Sequence, residues 1–500
     1  MKPHLMYRQK DFEPEAPPPL NAQTLINDLE LDTLFKAMAL GDDFVYEIVK
    51  KAVLQGLFDQ ESILYRQAVL TDFLENPGIL KTIYAITIES QEAKRKNWLG
   101  LHHGSPASIL HGALDILNEY LPLVIKLRDL STSVEGRIRS EGLTGFFSML
   151  TDELKEEYVH EIRDHIRYCR FADGIVINAK LGEGNLETDH CLSRDYPRRG
   201  GLLKDFFGKR GESYSFSIHP HDDSGVKALD DLRARGILKA AKALAQAADH
   251  IESFLRQLQA ETAFYIGCLN LRDTLAALGM PYCLPIPARS GEYRMKFTGL
   301  YEICLALHTR GSVVGNDLSA EGAVLTVITG ANQGGKSTYL RSIGLAQLMM
   351  QCGMFVPASS FEADICSGVF THYRRKEDRG MKSGKFDEEL GRMSSIADQI
   401  SPRSLILFNE SFAATNEHEG SEIARQIITA LIERGIKVFF VTHLYAFAES
   451  FIAQSRSDVV FLKAERKEDG RRTFRIIPGR PSPRSYGEEL YYEIFAEAKS

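Results

Sequence analysis

Along the first third of the chain, apolar residues return at the three-to-four spacing of a helix. Leu25, Leu29, Leu31, Leu34, Phe35 and Met38 keep that interval, and residues 65–74 repeat it. Pro77-Gly78, Gly104-Ser105-Pro106 and Gly142 punctuate the pattern. The spacing predicts packed helices over 23–173. Before them, an extended leader over 1–22 carries Pro14, Pro17, Pro18 and Pro19. The pattern then changes. Val176 with its apolar neighbours, and the period-two alternation from Tyr214 to Ile218, predict a β-containing insertion over 174–222. Helical spacing returns over 223–280, interrupted by Gly236 and Gly267, and one long lever or two helices both fit it. Pro281, Pro285 and Pro287 mark a boundary, after which strand and helix signals alternate as in an α/β domain over 281–500.

One stretch of that last domain carries chemistry. The β-branched run Val324-Leu325-Thr326-Val327-Ile328-Thr329 leads into Gly330-Ala331-Asn332-Gln333-Gly334-Gly335-Lys336-Ser337-Thr338, and a helical pattern follows over 339–350. Strand, glycine-rich loop, then helix is the context of a phosphate-binding loop of the form G-x-x-x-x-G-K-S. Successive N–H groups of such a loop converge on an anion at the helix N-terminus. Lys336 is then placed to reach the β- and γ-phosphates of ATP, and the Ser337 hydroxyl to take a Mg²⁺ position.

Two later strands supply partners. Ser404-Leu405-Ile406-Leu407-Phe408 ends in Asn409-Glu410, and Val438-Phe439-Phe440-Val441 ends in Thr442-His443. Polar residues at the carboxyl ends of parallel strands gather beside the phosphate loop. Glu410 is expected to orient or deprotonate the attacking water. Asn409 stands where such ATPases usually carry a metal-holding Asp, and His443 is expected to sense the γ-phosphate.

Composition changes the picture in two places. The net charge of −7 gives no global attraction to nucleic acid, so DNA contact has to come from a local patch. Arg194, Arg198, Arg199, Lys204, Lys209 and Arg210, interleaved with Tyr196, Phe206 and Phe207, form one. They read equally as sequence-independent phosphate handles or as a solvated hairpin loop whose aromatics pack on the helices. The seven scattered cysteines include no C-x-x-C, which predicts free thiols in a reducing cytoplasm. No apolar run reaches membrane-spanning length.

With these motifs in place, the chain resembles the MutS family of DNA mismatch-repair ATPases. The residues from Ile328 to Arg341 are similar to that family's phosphate loop, with Ala331 and Gln333 replacing the usual Pro and Met. Val314-Gly315-Asn316-Asp317 resembles its V-x-N-D segment, which implies that Asn316 lies by the nucleotide base. The stretch Gly353 to Ala358, the loop Thr415 to Gly420, the Thr442-His443 pair and Ser485-Tyr486-Gly487 extend the likeness over about 310–490.

The resemblance implies an α/β P-loop ATPase domain at the C-terminal side, joined to an N-terminal α-helical core or lever domain with a small β-containing insertion. It implies ATP and Mg²⁺ as cofactors and a homodimer made through the ATPase domains. Double-stranded or branched DNA, and possible repair-protein partners, follow from the same likeness. The family's signature loop crosses to the partner's nucleotide. Here Ser383-Gly384-Lys385-Phe386 departs from its S-T-F, and Lys385 is expected to supply a cation to the opposite γ-phosphate, beside Ser383 and Phe386. Helices beginning near residue 24 leave no room for the mismatch-reading and connector domains, and Phe73-Leu74-Glu75 reads as core rather than as an F-x-E wedge. The expected function is a slow, nucleotide-gated DNA clamp in repair or recombination. A dimeric, nucleotide-gated protein that recruits partners with little DNA binding is the competing reading.

Overall fold

The computed structural model describes residues 1–97, 105–171, 174–185, 187–193, 217–219, 221–375, 384–467 and 471–481. The basic stretch Arg194, Arg198, Arg199, Lys204, Lys209 and Arg210, together with Ser383 and Ser485-Tyr486-Gly487, lies outside the described residues. Two compact units divide the chain. One comprises Met1–Pro3, Lys81–Ile138 and Thr144–Gln259, and the other His4–Leu80, Arg139–Leu143 and Ala260–Ser500. The helical block expected over 23–173 is therefore shared between units, and its first part falls in the same unit as residues 260–500.

Along the chain, α1 (Ala22–Asp28), α2 (Leu31–Ala39), α3 (Asp43–Gln55) and α4 (Gln60–Glu75) come first. They are followed by α5 (Pro77–Asn97), α6 (Pro106–Val134), α7 (Glu141–Glu153) and α8 (Glu156–Tyr168). Next come β1 (Ile177–Leu181), β2 (Glu187–Leu192) and α9 (Asp223–Ala277). The last is one continuous helix of 55 residues. Gly236 and Gly267 do not break it, because packing replaces the helix propensity they lack. A Cβ on Gly236 would lie 2.5 Å from Ile177 Cδ1, so the residue allows close approach to β1.

In the first unit, the buried stripe Leu110, Leu114, Leu117, Leu121 and Val124 of α6 provides a core face. Phe146 of α7 stacks on Phe254 of α9, with ring centroids 6.5 Å apart. β1 and β2 pair antiparallel, and Lys239 of α9 bonds Asp189 of β2 at 2.6 Å.

The second unit holds the predicted α/β domain. Its elements are β3 (Ile286–Ala288), β4 (Met295–Leu300), α10 (Ile303–Thr309), β5 (Asn316–Ala320), β6 (Leu325–Thr329) and α11 (Lys336–Gln351). After these come β7 (Ser360–Asp364), β8 (Val369–Tyr373), α12 (Lys385–Gln399), β9 (Leu405–Asn409) and α13 (Glu417–Glu433). The series closes with β10 (Lys437–Val441), α14 (Tyr445–Ala453), β11 (Val459–Arg466) and β12 (Arg472–Pro478). A six-stranded sheet runs β12-β11-β6-β10-β9-β8, parallel except where β12 meets β11. A four-stranded sheet, β3-β7-β4-β5, is mixed.

The central strands are buried on both faces, which explains their near-continuous apolar runs. Val327, Ile406, Phe408, Val438 and Phe440 point into one core with Met393 of α12, Ile428 of α13 and Phe447 of α14. The alternate residues face α11, where a Cβ on Gly344 would lie 2.7 Å from Leu407 Cδ1.

The segment expected as an extended leader has no helix before Ala22, yet from His4 onward it is packed within this unit. Leu5, Met6 and Phe12 are buried, and the N–H groups of Leu5 and Met6 donate to Glu261 Oε2 at 2.5 and 3.3 Å. Next to it, the Thr371 hydroxyl donates to Asp28 at 2.6 Å, and Asn21 Nδ2 donates to the Val369 carbonyl at 2.8 Å. Among the described residues no helix is long and apolar enough to cross a membrane.

Candidate nucleotide site

The phosphate loop leaves β6 at the middle of the large sheet and enters α11 at Lys336. Gly335 has φ +88°, a left-handed conformation that suits glycine. Gly334 is required for space. A Cβ there would lie 2.8 Å from Ala464 Cβ and 3.0 Å from the Ala331 carbonyl oxygen. Gln333 also sits at positive φ, +61°, and its side-chain oxygen accepts from Arg472 at 2.7 Å. Ala331 is half-buried, Asn332 is exposed, and Thr338 is half-buried in the first turn of α11.

Lys336 folds over this loop. Its ammonium donates to the Gly330 and Ala331 carbonyls at 2.8 and 2.9 Å. Burial pushes its pKa down to about 8, and the Glu410 carboxylate opposes that shift. A largely buried ammonium held by two carbonyls gains from the charge of an incoming phosphate.

Strand order brings two further pairs together. The Ser337 hydroxyl donates to Asn409 Oδ1 at 2.9 Å, so the two groups assigned to the metal are in contact. Both are hard oxygen donors, the class Mg²⁺ prefers, and Glu410 follows immediately in the chain. The residues present therefore fit a phosphate-bound Mg²⁺, with one carboxylate fewer than an Asp at position 409 would provide. At the ends of β9 and β10, His443 Nε2–H donates to Glu410 Oε1 at 3.0 Å. That bond is the main reason the Glu410 carboxyl lies below its ordinary range, burial acting the other way. Glu410 is thus a carboxylate at neutral pH, suited to holding a water by a charge-assisted hydrogen bond.

A cavity of about 470 Å³ runs from the loop to Leu300, Val314, Asn316 and Phe474. Asn316 is buried, and its Oδ1 accepts the Ile476 N–H at 2.7 Å, which fixes the amide at the cavity wall. Phe474 is a lining residue that sequence reasoning missed. It stands at φ +58° on β12 with its Cβ 3.6 Å from where a Gly335 Cβ would be. No local motif marks it, because only the pairing of β12 with β11 carries it to the loop.

Of the residues expected to reach a partner's nucleotide, Lys385 and Phe386 open α12, and Phe386 packs against the apolar core of its own chain. Lys385 is half-buried.

A buried parallel sheet whose central strand feeds a Lys-Ser phosphate loop, with an Asn-Glu strand end beside it, defines a P-loop nucleotide-binding domain. The matches to known proteins narrow this. Residues 58–278 match the model of the MutS2 N-terminal domain, and residues 326–492 match MutS domain V. A DNA mismatch repair protein MutS from Lactococcus lactis is 26% identical over 463 residues, covering 87% of this chain and 52% of its own. The MutS protein homolog 4 of mouse is 24% identical over 472 residues, covering 83% of this chain and 46% of its own. A MutS from Thermotoga neapolitana is 34% identical over 232 residues, 45% of this chain and 28% of its own. The chain belongs to the MutS family. It spans about half or less of the length of these relatives.

Proposed function

We propose that this chain binds ATP with Mg²⁺ and hydrolyses it slowly, as the motor of a dimeric, nucleotide-gated DNA clamp in repair or recombination. The observation that carries the reading is the contact of Ser337 with Asn409 and of Glu410 with His443 around one phosphate loop. Lys336 and the loop N–H groups from Gly330 to Thr338 bind the phosphates, and Asn316 borders the base. Ser337 and Asn409 would hold the Mg²⁺, which would supply charge neutralisation for the phosphates during transfer. Glu410 orients the attacking water, and His443 holds Glu410 and registers the γ-phosphate.

The names of the relatives, DNA mismatch repair protein MutS and MutS protein homolog 4, support DNA as the partner. Two ATPase domains pair in this reading, Ser383, Lys385 and Phe386 reach the opposite site, and Arg194 to Arg210 supply non-specific phosphate contacts in the cytoplasm. Asn409 favours a second reading, a nucleotide-gated recruiter of protein partners with slow turnover, since the amide leaves the metal shell one charge short.

Two assays test the proposal. Glu410→Gln is expected to cut ATP turnover at least about 100-fold with nucleotide binding retained. A competition at fixed salt among perfect duplex, a single mismatch and a four-way junction, with ATP, ADP or neither, is expected to reveal nucleotide-dependent DNA binding that falls steeply with salt. Binding of ATP with no affinity for any DNA would move the function to the partner-recruiting reading.

A further inference from the structure

The turn that follows β9 has a strained backbone. Glu410 and Phe412 sit at φ +54° and +64°, in the left-handed region that side chains other than glycine rarely adopt. Such a conformation persists only where its surroundings over-determine it. The Glu410 N–H donates to the Val441 carbonyl at 2.8 Å, which fixes one end of the turn. At the other end, the Phe412 N–H donates to Glu389 Oε2 at 3.0 Å.

The middle is pinned by His372 of β8. Its Nδ1 lies 2.7 Å from the Ser411 hydroxyl, which also approaches the His372 carbonyl at 2.6 Å. The other ring nitrogen, Nε2–H, donates to the Glu389 carbonyl at 3.0 Å. Glu389 therefore grips the turn twice, directly by its side chain and through its backbone by way of His372. There is no slack on the α13 side, where a Cβ on Gly420 would come within 2.3 Å of the Phe412 carbonyl oxygen.

Glu389 is only 2% exposed, and its Oε1 has no hydrogen-bond partner. A buried carboxylate with one bonded oxygen is costly, and an apolar side chain beside Met393 and Phe412 would avoid that cost. What the carboxylate adds is an acceptor that holds Phe412 in its left-handed conformation.

We propose that Glu389 is a positioning residue for hydrolysis, which holds the turn from Glu410 to Phe412 so that the Glu410 carboxylate faces the phosphate loop. The inference rests on the hydrolysis reading above. Misplacing a reacting group by about 1 Å costs on the order of 100-fold in rate. The test is steady-state ATP turnover with separate ATP binding for the full chain, in wild type, Glu389→Ala, Glu389→Gln, Glu410→Gln and the double variant Glu389→Ala/Glu410→Gln.

Glu389→Ala is expected to lower kcat about 10- to 100-fold with the ATP Kd within about twofold of wild type. Glu389→Gln keeps an oxygen that accepts the Phe412 N–H and is expected to restore kcat to within about threefold. The double variant is expected to be no slower than Glu410→Gln alone, because Glu389 acts only through Glu410. An unchanged kcat in Glu389→Ala, no rescue by Gln, or additive losses would each overturn the proposal. Should Glu389→Ala fail to fold, Glu389→Leu, which fills the space beside Met393 and Phe412 without an acceptor, replaces it, with the same expected loss of kcat and the same refuting result. Wild type that does not hydrolyse ATP, or Glu410→Gln at full rate, would instead remove the hydrolysis reading itself.

Discussion

Restoring a carboxylate at position 409 tests how the metal is held. Asn409 Oδ1 already accepts the Ser337 hydroxyl at 2.9 Å, and Asn→Asp keeps both that acceptor and the side-chain volume. The substitution is then close to a pure change of charge. Two unit charges about 4 Å apart attract by about 4 kcal/mol at an effective dielectric of 20, and a dication doubles the attraction. Against this stand the Glu410 carboxylate, next in the chain, the nucleotide phosphates, and solvent screening at a half-buried position. A net gain of roughly 1 to 3 kcal/mol remains, which corresponds to about 5- to 150-fold tighter Mg²⁺. The assay is ATP turnover against free Mg²⁺ at saturating ATP, with Asn409→Ala as the variant that loses the acceptor. Asn409→Asp is expected to move the half-saturating Mg²⁺ down, and Asn409→Ala up. Identical half-saturation in Asn409→Asp and wild type, with nucleotide binding intact, would refute the placement of residue 409 in the metal shell.

Other outcomes follow from the same geometry. Lys336, with its pKa pushed down to about 8, is charged below that pH and loses its proton above it. Bound phosphates favour the charged form, so ATP affinity should be flat below pH 8 and weaken by up to about tenfold per pH unit above it. Titration calorimetry in two buffers of different ionisation enthalpy would show the accompanying proton uptake, and its absence at pH 9 would contradict the assignment. His372 is buried and neutral, its pKa held down to about 4 by desolvation, against 6.5 for an exposed ring. The unfolded chain takes up that proton first as pH falls. Stability present above pH 6.5 should therefore decline by roughly 3 kcal/mol on approaching pH 4, measured by urea unfolding. Replacing the ring by Asn should flatten that decline. Gly334→Ala must displace Ala464 or the Ala331 carbonyl and should weaken ATP binding at least about tenfold while leaving the protein folded.

Features that lie close along the chain were legible in the residues alone. The strand-loop-helix order around Gly330 to Thr338 is a contiguous pattern, and the structure has β6, the loop and α11 in those places. The apolar runs ending in Asn409-Glu410 and Thr442-His443 are likewise local signals of strands buried on both faces. The helical spacing over the first third was legible for the same reason, since the period of apolar residues reports which face is buried.

Period does not report against what a face is buried. Long-range packing settled that residues 4–80 share a compact unit with the sheet, and that the proline-rich start is packed through Leu5, Met6 and Phe12. It also decided that 223–277 is one helix, although the two glycines alone favoured neither outcome. The pairing of Ser337 with Asn409 joins residues 72 apart in sequence, and that of Glu389 with Phe412 joins residues 23 apart. Phe474 reaches the phosphate loop from 139 positions beyond Gly335, through strand pairing that no stretch of sequence spells out. Local patterns fix conformation and exposure, whereas a site is made of distances between elements, and those are set by how the buried faces fit together.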